Sequence, residues 1–452
     1  MEAVAAPFDV PAFPGWPIVG ALPHLQRDII GTFDRASELG DVVRIDFPGK
    51  KGFLVTHPEG VKRVLVDNHR NYGKKTRGYK MLSMALGQGL VTSQGELWRR
   101  QRRIAQPSFH HQRISRFVET MDDAGRRMID RWRVSVPAGG VLEVSEEMMR
   151  VTLEIVGLAL LSTDLSQESG PIGDAISVVL HETVWRITHP LSLPLSIPTP
   201  RHRRLVRALE RMHQLVDEVV QERRAGASKE DLLNMFMEAR DEETGEGMSN
   251  TQLRDEVMTM VSAGHETTAN ALTWTLHLLA EAPEALARLE EEVDRVLHDD
   301  GPLGLERLRD LEWTEAVIKE SMRLRPPVWM LARSLSEDDE VMGHPLPKGG
   351  IVFLSQLIMH RDPRFWDAPE VFRPERFLGE AGKAISKHVY FPFAGGPRVC
   401  IGQAFALMEA KALLARMVRA ARFSAVADHP VVPEPVITLR PKYGLPMHVA
   451  WR

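Results

Sequence analysis

The stretch F-A-G-G-P-R-V-C-I-G, Phe393 to Gly402, holds the only cysteine among 452 residues. One thiol cannot make an internal disulfide, so Cys400 is an inert core residue, a nucleophile or a metal ligand. Its surroundings are built to present a sulfur. Gly395, Gly396 and Pro397 supply a tight turn, the glycines for unusual dihedrals and the proline for a fixed one. Gly402-Gln403-Ala404-Phe405-Ala406-Leu407-Met408-Glu409 then opens a helical pattern, which places Cys400 at or near a helix N-terminus. Unpaired backbone N–H groups and the positive end of the helix dipole favour a thiolate there, the form that ligates metal.

With no second cysteine, zinc held by several thiolates is excluded. A single axial thiolate to haem iron is the natural reading, with Phe393 shielding one side. Phe393, Gly396, Arg398, Cys400 and Gly402 also match the haem-ligand signature F-x-x-G-x-R-x-C-x-G, and on this the chain resembles the cytochrome P450 superfamily. At about one in twenty per fixed position, five such positions arise by chance in a chain of this length roughly once in ten thousand sequences.

Moving outward, 57 basic residues against 61 acidic ones leave a net charge near zero, which gives no support for a nucleic-acid partner. The single cysteine suits a reducing compartment, and a cytoplasmic protein is expected. The N-terminal stretch carries Glu2, Asp9 and repeated prolines. It is neither a run of about 20 apolar residues nor a signal peptide with a basic start. No membrane anchor is therefore expected, as in the bacterial members of the superfamily. No repeat or long linker divides the sequence, and one domain over residues 1–452 is expected, with no fused reductase.

Residues 42 to 56, V-V-R-I-D-F and G-F-L-V-T around Pro48-Gly49, read as a β-hairpin, followed by a helix near Pro58 to Asp67. Tyr72 to Gly95 is rich in Gly, Met and Leu and poorly periodic, so it reads as a loop. The resemblance places it over the substrate pocket, with Met81 and Leu82 as lining residues. Trp98 and Arg102 stand four apart, on one helix face; the resemblance makes this W-x-x-x-R a pair that binds a haem propionate. It also makes Arg99, Arg100 and Arg103 the basic patch near which an acidic electron donor, of ferredoxin or flavodoxin type, docks. From about 115 to 240 the pattern is mostly helical. It is interrupted at His189 to Pro200, where the family carries a lid over the substrate entrance.

Ser249, with Gln252 three residues on, reads as an N-cap. It opens a helical pattern of about thirty residues, roughly 45 Å, ending at Ala282-Pro283. Within it stands A-G-H-E-T-T, Ala263 to Thr268, whose glycine, acid and hydroxyls are poor choices for a helix interior. A local opening of the hydrogen-bond ladder is expected there. This segment is similar to the family's oxygen-activating motif. The resemblance makes Thr267 the residue that steadies oxygen and water, Glu266 the proton relay, and the Ala263-Gly264 backbone the place that leaves room beside the iron. Relatives that tie haem covalently to this helix carry a Glu where this chain has Ala263, so no covalent link is expected. His265 and Thr268 are read as structural.

Further on, Glu320 and Arg323 form E-x-x-R, and with P-E-R-F, Pro374 to Phe377, they resemble the family's structural triad, Arg376 being its third member. Between them R-P-P-V-W-M-L-A-R turns from helix to strand. Arg333 matches a second propionate ligand, joined by Arg398, while Val328, Trp329 and Met330 fall where the family's side chains line the pocket. H-R-D-P, His360 to Pro363, is read as structural.

The resemblance runs nearly the whole chain. It implies a mainly α fold with a small β-rich portion, at 42–56, 327–355 and the C-terminus, forming the family's triangular helical prism enclosing haem. It implies haem b (iron protoporphyrin IX), O2 as co-substrate, and electrons drawn from NAD(P)H only indirectly, through a separate redox protein. The expected protein is a monomer that inserts one oxygen atom of O2 into an apolar small molecule: a fatty acid, terpenoid or steroid-like compound. Two alternatives stay open: a haem-thiolate enzyme that uses peroxide or rearranges its substrate, and a haem sensor without catalysis. Glu266 and Thr267 favour the dioxygen route.

Overall fold

The computed structural model describes residues 10–166, 175, 178–179, 182–183, 185–186, 189, 192–226, 229–299 and 301–452. The chain groups into two compact units, each assembled from separate segments. The first takes the chain up to Tyr79, Arg323–Val371 and Ala384–Cys400; the second takes Lys80–Met322, Phe372–Lys383 and Ile401–Arg452.

The first unit is built on a five-stranded sheet. The expected hairpin is there: Val42–Phe47 pairs antiparallel with Lys50–Val55 across the Pro48-Gly49 turn. Ile351–Leu354 then pairs parallel to the second hairpin strand, Leu331–Leu335 follows it antiparallel, and the short strand Tyr72–Gly73 closes the edge. Phe53, Val55, Val61, Val64, Leu331, Leu354 and Phe391 form its core. Alternation along the strands sends Phe53, Val55, Leu331 and Leu354 to one face, as a half-buried sheet requires.

The second unit is helical around Asn250–Ala280, 31 residues long. The capping box is complete, with Ser249 Oγ accepting from Gln252 N–H at 3.2 Å and Gln252 Oε1 accepting from Ser249 N–H at 3.0 Å. This helix is buried nearly all round, its polar residues included. Trp274 is completely buried and donates from Nε1 to Leu439 O at 2.9 Å. Helix Val144–Leu161 lies against it so closely that a Cβ on Gly264 would sit 3.1 Å from Val156 Cγ2. Gly264 thus allows close helix packing, its missing side chain facing a neighbouring helix.

Two expectations change. The region from Tyr72 to Gly95 is no plain loop, because Arg77–Leu86 forms a helix. The long helix keeps its α-helical course through Ala263 to Thr268; the carbonyls of Ala263 and Gly264 gain hydroxyl donors from Thr267 and Thr268 at 2.7 and 3.2 Å. Such back-bonding bends a helix without breaking it. Of the lid stretch 189 to 200, residues 192–199 are non-helical, while 190 and 191 lie outside the described residues. Among the described residues no helix is long and apolar enough to cross a membrane.

Candidate active site

In the first unit the loop to Cys400 is fixed by backbone geometry. Ala394 N–H donates to Phe391 O at 2.9 Å and Cys400 N–H to Phe393 O at 3.0 Å. Gly396 has φ +65°, and a Cβ there would sit 1.8 Å from Leu65 O. No other residue fits that position. The Cys400 side chain is exposed at the end of this turn. The chain continues into helix Gln403–Ala420, whose N-cap is Gly402, so Cys400 stands two residues before a helix N-cap, as expected. Gly402 itself has φ −87°, and a Cβ there would meet no protein atom within 4 Å. Neither backbone nor protein packing demands a glycine there, which suits the close approach of a flat non-protein group.

Arg333 and Arg398 lie in the same unit, and Lys74, which the motif search missed, joins them. Arg333 is buried and donates from Nη1 to Tyr79 Oη at 3.3 Å and Ala332 O at 3.0 Å. Burial, and after it the charge of Arg333, push Arg398 down to about 10. Lys74 is driven well below its ordinary value by burial, then by Arg333 and Arg398. Three cations set against one another form a field that an arriving dianion relieves. With the neighbouring thiol, this donor set fits a haem and its two carboxylates.

Arg323, the middle member of the triad, is fully buried and clamps carbonyls: His360 O at 2.9 Å, Pro369 O at 2.6 Å and Val371 O at 3.1 Å. Trp329 is buried, edge-on to Phe33 at 6.4 Å. Val328 and Met330 are half-buried.

In the second unit, Trp98 and Arg102 are half-buried on helix Gly95–Ala105, and Arg102 Nε reaches Gln106 Oε1 at 3.3 Å. Gln101, on another face, ties the helix to its preceding loop through Gln88 O and Ser93 Oγ, each at 2.6 Å. Met81 and Leu82 are half-buried. Glu320 is fully buried, 3.4 Å from Arg376 Nε, and accepts from Arg373 N–H at 2.8 Å.

The expected basic patch is not open. Arg103 donates to both oxygens of Asp241 at 3.0 Å and to Glu243 at 2.6 Å, while Arg100 reaches Gly247 O at 2.9 Å and Glu246 at 3.2 Å. Hydrogen bonding from Arg103 first, then from Glu243 N–H, holds the Asp241 carboxyl below its usual range. The chain's own acidic loop thus covers two of the three arginines. Arg99 is exposed beside Glu96.

On the long helix Ala263 is exposed and Gly264 and Thr267 half-buried, whereas Ser262, His265, Glu266 and Thr268 are buried. Ala263 and Thr267, one turn apart, therefore share its open face. Behind them runs a polar chain: Thr438 Oγ1 donates to Glu266 Oε1 at 2.7 Å and accepts from Asn270 Nδ2 at 3.1 Å. His265 donates from Nδ1 to Val261 O at 2.7 Å, and burial lowers its pKa. Glu409, from helix Gln403–Ala420, is buried, and burial raises its pKa to about 8 against an opposing hydrogen bond with Thr268. Thr438, Asn270 and Glu409 stand outside every motif. A charge in the apolar run A-L-M-E-A-K-A-L-L was the one signal that could have marked Glu409.

A thiol on a rigid loop and a cationic carboxylate cradle in the first unit, and an acid–alcohol segment on the long helix of the second, are the residue types that a haem-thiolate oxygenase uses. The sequence profile of the family described as Cytochrome P450 matches residues 10–446. Cyclooctatin synthase of Streptomyces melanosporofaciens is 34% identical over 94% of this chain and 92% of its own. Cyclooctat-9-en-7-ol 5-monooxygenase of the same organism is 34% identical over 88% and 86%, and pentalenene oxygenase of Streptomyces avermitilis 32% over 94% and 93%. The chain belongs to the cytochrome P450 family, and is a haem-thiolate monooxygenase.

Proposed function

We propose that the substrate is a terpenoid, a polycyclic hydrocarbon or its alcohol, into which one oxygen atom of O2 is inserted. The observation that carries this is similarity over nearly the full length of both chains to relatives named for cyclooctat-9-en-7-ol and pentalenene. Haem b, when bound, supplies the reductive activation of O2. The rest is done by this chain's residues. Cys400 holds the iron as a thiolate, a donor that favours O–O cleavage, and Phe393 shields it. Arg333, Arg398 and Lys74, with Trp98 and Arg102, bind the propionates, and Arg guanidinium groups can do so bidentately.

On the long helix, Ala263 leaves room, and Thr267 holds a proton on the open face. Glu266, fixed by Thr438, relays protons, and Glu409 keeps a proton in reserve to about pH 8. Glu320, Arg323 and Arg376 brace the ligand loop, and Met81, Leu82, Val328, Trp329 and Met330 address the substrate. A ferredoxin or flavodoxin-type donor approaches through Arg99, since the acidic loop occupies Arg100 and Arg103. The chain works as one haem domain in the cytoplasm. Titrating the purified protein with polycyclic terpene hydrocarbons and alcohols, and with fatty acids, tests the substrate class by the haem spin-state shift. Micromolar response to the terpenoids is expected. Response to fatty acids alone overturns the terpenoid reading.

A further inference from the structure

We propose that His360 is a positioning residue for the haem-ligand loop, setting the placement of the Cys400 thiol through the backbone N–H of Phe391. The proposal rests on the assignment of Cys400 as the haem thiolate. His360 follows the short helix Gln356–Met359 and is completely buried. Its main chain is held on several sides. Its N–H donates to Gln356 O at 2.9 Å, its carbonyl accepts from Arg323 Nη1 at 2.9 Å, and the neighbouring Met359 O accepts from Trp366 Nε1 at 3.1 Å. Arg323 also lies over the Trp366 ring at 5.1 Å.

From this fixed base the imidazole reaches the ligand loop. Phe391 N–H donates to His360 Nε2 at 3.0 Å. A backbone N–H only donates, so Nε2 carries the lone pair and the imidazole is neutral, with its proton on Nδ1. The ring also packs against Tyr390 at 5.0 Å and edge-on to Phe391 at 5.4 Å. The Phe391 peptide is the point from which the loop turns. Its carbonyl takes the Ala394 N–H at 2.9 Å, with Ala394 at φ +61°, and Phe393 O then takes the Cys400 N–H at 3.0 Å. An acceptor at His360 therefore fixes the start of the turn whose end is the thiol. A side chain of equal bulk without an acceptor leaves a buried N–H unpaired, and the loop must move to satisfy it.

Two substitutions separate acceptor from bulk. His360→Phe keeps an aromatic ring and removes the acceptor; His360→Gln removes the ring and offers Oε1 at similar reach. The full-length holoproteins are compared by haem content, by the iron reduction potential, and by the ratio of thiolate to neutral-thiol forms in the carbon monoxide complex. In H360F the neutral-thiol fraction is expected to rise about tenfold with a shifted potential, while H360Q returns both towards wild type. An unchanged ratio and potential in H360F, or a loss in H360Q as large as in H360F, overturns the role of His360. Should wild type itself lack the thiolate band, the Cys400 assignment has failed and this proposal falls with it. Amide exchange at Phe391 in wild-type protein gives a check that needs no variant: slow exchange supports the bond, and exchange at the rate of an open amide refutes it.

Discussion

Replacing Glu409 by Gln should stabilise the protein at neutral pH and flatten its stability against pH. Burial raises this carboxyl from 4.5 to about 8, so the folded state holds a proton that the unfolded chain releases above pH 4.5. The raised value means that stability is undiminished below the unfolded pKa and is lost as pH climbs towards the folded one. At 1.36 kcal/mol per unit, the loss is about 3 kcal/mol at pH 7 and stops growing above pH 8. Gln is neutral in both states and avoids it. The assay is urea denaturation of wild type and E409Q at pH 5, 6, 7 and 8, read as midpoints at equal m-value. E409Q should gain progressively over wild type from pH 5 to 8, up to about 3 kcal/mol at pH 7. A difference that does not change with pH would refute the reasoning, since it would mean that Glu409 is ionised in the folded protein.

Gly396→Ala should cost at least about 1–2 kcal/mol for the left-handed backbone. It should also displace the ligand loop, because the new methyl falls on Leu65 O; unchanged haem content and urea midpoint in G396A would contradict this. Thr267→Ala should leave haem binding intact and divert electrons to peroxide, measured as product formed per O2 consumed; tightly coupled turnover would count against a proton-holding role for this hydroxyl.

What the sequence made legible was local. The turn glycines before Cys400, the Ser249 and Gln252 cap and the Pro48-Gly49 hairpin each depend on neighbours a few residues away, so composition and spacing expose them. Helix Arg77–Leu86 escaped because it is short, carries Gly78 in its first turn and ends just before Gly87. Distance along the chain hid the rest. Asp241 neutralises Arg103 from 138 residues away, and Thr438 meets Glu266 across 172. No periodicity reports such pairs. The packing of Trp329 was hidden for a related reason, because only the position of Phe33, far along the chain, shows what its ring meets. Gly264 is similar, its close neighbour being Val156 on another helix.

The central claim is that Cys400 supplies the thiolate to haem iron, and the absorption spectrum of the reduced protein under carbon monoxide tests it most directly. Wild type should show the band of a thiolate-ligated carbonyl complex, and Cys400→Ala should lose it. Absence of the band in wild type, or its survival in C400A, would contradict the account.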